Sequence, residues 1–226
     1  MSARIVAEQE MQISADLDTF TCEALVRSMQ EVGVIFEEGL SEAEIRAAEA
    51  YCDIVFPADL RKFLQTALPV KHGFEYFTPW RRIDPSVASG EEDERDREGG
   101  PVLKQNLQEY YHEGFLYDVE FNDHWNESWP TKPESLDNAV SLAKGFLADE
   151  DRVPKLIPIY SHRCMASLPA SAGAGQPVLS IHQTDIIVYG NDLATYFANE
   201  FGFEPVRPIV NSDGWRIPIP FWMDYL

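Results

Sequence analysis

The chain has 226 residues, in which 38 Asp and Glu outnumber 18 Lys and Arg and leave a formal net charge of −20. Phosphate binding depends on Lys and Arg, and Arg81-Arg82 is the main basic cluster, so the composition argues against direct nucleic-acid binding and for a basic partner. Hydrophobic residues at 45% exceed what a disordered chain carries, while the longest uncharged stretch, 166–184, contains Pro, Gly, Ser and Gln and cannot cross a bilayer as a helix.

The first ten residues turn acidic before any apolar run of signal-peptide length develops, which predicts a cytoplasmic protein. Cys22, Cys52 and Cys164 form no Cys-x-x-Cys pair and read as reduced, structural thiols. Leu25, Val26, Met29 and Val32 keep helical spacing after a possible extended segment. Ser41 and Glu44 form a capping box with Leu40 and Ile45 as its hydrophobic staple, so a helix starts there and buries Ile45, Ala48 and Cys52. Pro57 suits the first turn of a second helix with stripe Leu60, Phe63, Leu64, Ala67 and Leu68, ended by Pro69.

After Gly73 the chain becomes aromatic and proline-punctuated, then carries the run Glu91-Glu92-Asp93-Glu94-Arg95-Asp96-Arg97-Glu98 between glycines, which predicts a solvated loop or an exposed helix start. Residues 115–121 alternate apolar and acidic side chains, predicting a half-buried strand with Asp118 and Glu120 on one face. Ser135 is positioned to cap a helix with stripe Leu136, Ala139, Val140, Ala143 and Leu147. Residues 156–160 read as a strand that Pro158 pushes toward an edge or bulge. Residues 178–182 and 185–189 form an antiparallel hairpin, followed by a helix capped at Asn191 and stopped by Gly202. The tail alternates Pro with apolar residues over 217–222 and is expected to drape over the body in extended form.

The chain lacks a Gly-x-Ser-x-Gly elbow, a His-Glu-x-x-His helix and a Walker loop, and Gly173 and Gly175 precede a strand rather than follow one, so no cofactor is expected. Asp118, Glu120, Asp123 and His124 are the weak candidates for a divalent metal, against a solvated strand face. His162 and Arg163 follow a strand end, where loops carry exposed polar function; local packing is the competing account. Trp125 and Trp129 stand among polar residues and offer partner anchors, with core burial as the alternative.

Residues 39–45, Gly-Leu-Ser-Glu-Ala-Glu-Ile, followed by Val55-Phe56-Pro57-Ala58-Asp59-Leu60-Arg61-Lys62-Phe63-Leu64, resemble the opening of the SUKH superfamily, the Smi/Knr-like family. The strand-like residues 156–159 and the stretch 185–197 are similar to that family's C-terminal strands and last helix. The resemblance implies an α+β fold with helices packed against a largely antiparallel sheet. It places an N-terminal extension at 1–38, a single domain at 39–201 with an acidic insertion around 84–101, and a tail at 202–226. It also implies a non-enzymatic, protein-binding role, because many bacterial members are immunity proteins that neutralise toxins, frequently nucleases. On that expectation the partner is a basic toxin domain, met by Glu91, Glu92, Asp93, Glu94, Trp125, Trp129, His162 and Arg163. A regulatory scaffold with a host partner and a small metal-dependent hydrolase using Asp118, Asp123 and His124 are the alternatives.

Overall fold

The computed structural model describes residues 19–83, 101–127, 129–172, 175–205 and 217–226. Within them the chain is α+β, with six α-helices and two antiparallel sheets of three and four strands. None of these helices is long and apolar enough to cross a membrane.

Helix α1 (Thr19–Glu31) buries Leu25, Val26 and Met29, and Gly33 at φ +96° turns the chain into β1 (Val34–Glu38). Part of the expected N-terminal extension thus supplies an edge strand of the first sheet. The capping box forms as the spacing predicts: Glu44 N–H donates to Ser41 Oγ at 3.3 Å, and Ser41 N–H donates to Glu44 Oε2 at 2.7 Å. It opens α2 (Glu42–Cys52), whose buried residues are Ile45, Ala48 and Cys52.

Pro57 stands at the N-cap of α3 (Ala58–Thr66), one position before the first turn where it was expected. The helix also ends sooner than its stripe predicts. Ala67 is extended at φ −159°, and residues Ala67–His72 form β2, which pairs with β1. Pro69 sits inside this strand because the third strand, β3 (Glu75–Tyr76), reaches only Lys71 and His72, so the missing Pro69 donor faces no ladder on that side. Gly39 lets α3 and β1 meet, since a Cβ there would lie 2.0 Å from Gln65 O.

Residues Glu109–Phe121 form helix α4, which corrects the strand expected over 115–121. The stripe Tyr111, Phe115, Asp118 and Val119 is buried at helical spacing, so Asp118 and exposed Glu120 do not share a face. Helix α5 (Leu136–Leu147) follows Ser135 and buries Ala139, Ala143 and Leu147, but Leu136 is half exposed.

The second sheet runs β4 (Leu156–Tyr160), β5 (Arg163–Ala166), β6 (Val178–His182) and β7 (Asp185–Gly190) in sequence order, with β4 at an edge and a register shift between Pro158 and Tyr160. The expected 178–189 hairpin is β6 and β7. Strand β5 was not anticipated, and it takes in Arg163, which was placed in a strand-end loop. Helix α6 (Leu193–Phe201) is capped by Asp192, whose Oδ1 accepts from Thr195 N–H at 2.8 Å, rather than by Asn191, and Gly202 ends it at φ +71°. The tail does not remain extended: Ile219, Phe221 and Trp222 are buried, a 3-10 turn spans Trp222–Tyr225, and Trp222 Nε1 donates to Pro154 O at 2.7 Å.

Both faces of the four-stranded sheet are covered. Ile157, Ile159, Met165 and Val178 join a core built from α1, α2, α3 and α6. Leu156, Cys164, Ala166, Leu179 and Ile181 join a second core with α4, α5, Trp129 and the tail. The two sheets meet where Phe77 bridges Tyr160 and Thr78 N–H donates to Ile159 O at 3.1 Å.

Two glycines have opposite expected responses. A Cβ at Gly190 would lie 2.6 Å from Tyr196 Cα, so Gly190→Ala forces β7 off α6 and should cost about 1–3 kcal/mol in urea unfolding. Gly145 has open space in α5, and Gly145→Ala should gain about 0.5–1 kcal/mol.

Two carboxylates set opposite pH limbs. Bonds from Ser41, then Arg81, hold Glu44 down to about 2 from its usual 4.5, so its stabilisation is present above pH 4.5 and lost as pH falls toward 2. Burial pushes Asp59 up to about 6 from 3.8, so stability from this group is greatest below pH 3.8 and declines as pH rises through about 6. Glu44→Gln should therefore flatten the acid limb of a urea-midpoint profile. Asp59→Asn, which keeps an acceptor for Gly175 and Leu60 N–H, should raise the midpoint at pH 7 and converge on the parent near pH 4.

Candidate functional site

Several residues singled out in the sequence belong to the interior. Trp129 is 7% exposed, stacked on Phe115 at 5.9 Å between ring centroids and against Phe146 at 5.4 Å. Its competing assignment, core, describes this placement. Trp125 lies edge-on to it at the core margin and donates through Nε1 to Pro130 O at 2.9 Å. Glu91, Glu92, Asp93 and Glu94 lie outside the described residues.

Arg163 is buried on β5 rather than presented by a loop. Its Nε donates to Glu200 Oε2 at 3.1 Å, its Nη1 to Ser180 Oγ at 2.9 Å, and its guanidinium covers the Tyr189 face at 3.8 Å. Nη1 also donates to His162 Nε2, which leaves Nδ1 as the protonated nitrogen facing Ser161 Oγ. Burial, then the Arg163 and His182 charges, lowers the His162 pKa. The pair locks β5 to β6 and α6.

Asp118 and Asp123 are engaged by other groups, Glu120 is exposed on another side of α4, and His124 Nε2 is buried without a hydrogen-bond partner. Asp118 accepts from Thr184 N–H at 3.0 Å, Thr184 Oγ1 at 2.6 Å and Asn122 Nδ2 at 2.6 Å, pinning α4 to the β6–β7 turn. Burial opposes its charged form, but these bonds outweigh burial and hold its pKa below the usual range. Exposed Asp123 pairs with Lys132 at 2.5 Å, and His124 sits edge-on to Phe115. Among the described residues no three His, Cys, Asp or Glu side chains are grouped to hold a metal ion. Burial pushes the Cys52 and Cys164 thiols up to about 12, so both remain protonated at neutral pH.

The most voluminous of the concave surfaces among the described residues lies where the two sheets join. A groove of about 530 Å³ runs between the β3–β4 junction and the start of α4. One wall carries Glu75, Tyr76, Phe77 and Thr78, the other Glu109, Tyr110 and Glu113, and Tyr160 lies at the β4 edge. Glu75 is near enough to Tyr160 to help raise its pKa, after burial. Lys104 is the one ammonium among these three carboxylates. Beyond Pro79, Arg81 is already occupied by Glu44 at 2.7 Å and Glu37 at 3.0 Å.

Aromatic surface continues out of the groove. Tyr110 is 58% exposed, Tyr117 and Phe121 follow at helical spacing with rings 4.8 Å apart, and Glu113 and Glu120 are interspersed on the exposed side of α4. Phe74, at the β2–β3 turn beside Glu75, is 99% exposed. Sequence reasoning missed this surface because it treated the second half of α4 as a strand; the spacing 110, 113, 117 and 121 was the signal.

Core and surface aromatics should separate cleanly in unfolding experiments. Trp129→Ala should lose roughly 3–5 kcal/mol, whereas Tyr117→Ala and Phe121→Ala should each stay within about 0.5 kcal/mol of the parent. A stability loss at Tyr117 comparable to that at Trp129 would contradict the surface assignment.

No family model, curated protein or solved structure matches the chain.

Proposed function

We propose that the chain is a non-enzymatic protein-binding module of the SUKH type, an immunity protein that shields a basic toxin domain in the cytoplasm. One observation carries the binding role: the exposed row Tyr110, Tyr117 and Phe121 with Glu113 and Glu120 alongside. Large apolar groups on a helix surface cost solvation when unpartnered, and aromatic anchors among like charges are the composition of an interface that selects an oppositely charged surface. The toxin identity rests on the sequence resemblance, and the −20 net charge supports a basic partner that carboxylates would reach ahead of nucleic acid.

Co-expression with toxin domains encoded beside the gene tests the proposal. The expected outcome is growth rescue and a complex that co-elutes at low salt; neither rescue nor complex with any of them would overturn it. In that complex, neutralising Glu91, Glu92, Asp93 and Glu94 should slow association and flatten its salt dependence. Tyr117→Ala or Phe121→Ala should instead speed dissociation, by roughly 30-fold for an anchor of about 2 kcal/mol.

A further inference from the structure

Four acids of β1 and α2 are paired with arginines. Glu42 and Glu49 hold Arg61, and Glu37 and Glu44 hold Arg81. The groove differs: among the described residues, the carboxylates of Glu75, Glu109 and Glu113 have neither an ion pair nor a hydrogen bond. All three are exposed and converge on a concavity with tyrosine surfaces at its mouth and floor.

Such a site is built for a cation with an apolar stem. A Lys or Arg side chain would lay its methylenes along Tyr76 and Tyr110, set its charge over a ring face and satisfy the free carboxylates. An anion would meet the three carboxylates, and a purely apolar segment would leave them desolvated and unpaired. Tyr160 and Ser161 at the end of β4 and Glu75 and Tyr76 of β3 all line the groove, so strand backbone flanks the space an extended segment would enter.

We propose that this groove receives an extended Lys- or Arg-bearing segment of the partner protein, an assignment that rests on the protein-binding role above. Tyr110 belongs to both surfaces and joins them: the segment enters the groove while the body of the partner lies along Tyr117 and Phe121. Lys104 marks one end of the cationic register, because a second positive charge beside it would be repelled.

Titration calorimetry of the full chain at low salt tests this with three short peptides that alternate Gly with Arg, Lys or Gln. The Arg and Lys peptides should bind and the Gln peptide should not. Glu109→Gln with Glu113→Gln, and separately Tyr110→Ala, should each weaken the cationic peptides at least about tenfold. Glu127→Gln with Glu134→Gln removes the same charge from exposed positions past the opposite end of α4 and should change affinity less than about twofold. Equal weakening by the remote pair would overturn the groove assignment in favour of general charge attraction, and so would failure of both cationic peptides to bind. If toxin protection then still depended on Tyr117 and Phe121, the groove assignment alone would fall and the protein-binding proposal would stand.

Discussion

The rest of the structure depends on a four-stranded sheet that is buried on both faces. Successive side chains of a strand point to opposite sides, so Leu156 and Ile157, Cys164 and Met165, and Val178 and Leu179 each divide between two cores. Neither core is complete without the other, because each needs the same strands for its floor. This explains why distant segments hold together: α1 to α3 press on one face, while α4, α5 and the last ten residues close the other. It also explains the chemistry of Arg163. A strand covered on both sides leaves no room for an unpaired guanidinium, so Glu200, Ser180, Tyr189 and His162 all turn toward it.

The same sheet creates the groove. Strand β4 is an edge, and edges left open invite uncontrolled pairing. Here Pro158 removes one donor, and Phe77 and Thr78 cover the edge only near Ile159 and Tyr160. Thr78 Oγ1 also donates to Pro158 O at 2.8 Å. Beside that short closure the segment 101–107 and the start of α4 line the other side of the groove.

Features fixed by neighbours in sequence were legible from the residues alone. The Ser41 box, the α2 and α5 stripes, the β6–β7 hairpin and the Gly202 stop each depend on contacts within a few positions. What failed depended on distant partners. The change from α3 to β2 has no turn residue at Ala67; β1 supplies the strand pairing that ends the helix. Strand β5 has no alternation to read because all four of its residues are buried. Helix α4 misled because aromatics on its exposed side blurred the amphipathic period that Tyr111, Phe115 and Val119 maintain. The groove, built from β3, β4 and α4, could not be assembled from any one stretch, although its aromatic and acidic residues stood in view.

Charge accounts for which part of this surface can be selective. A chain at −20 carries self-repulsion wherever acids lack partners, and the scarce bases relieve it locally: Arg61, Arg81 and Lys155 each engage two carboxylates. Exposed pairs of this kind contribute little stability, so their main consequence is spatial. They offset part of the negative charge along α2, α3 and the Arg81 corner, whereas Glu75, Glu109 and Glu113 at the groove have no such partner among the described residues. Among the described residues, Glu75, Glu109 and Glu113 lie beside exposed Tyr110, with exposed Tyr117 and Phe121 farther along α4. On the proposed binding role, the net charge would set how fast a basic partner arrives. The aromatic surface would then determine which partners stay, because water leaves those rings only when a partner of matching shape covers them.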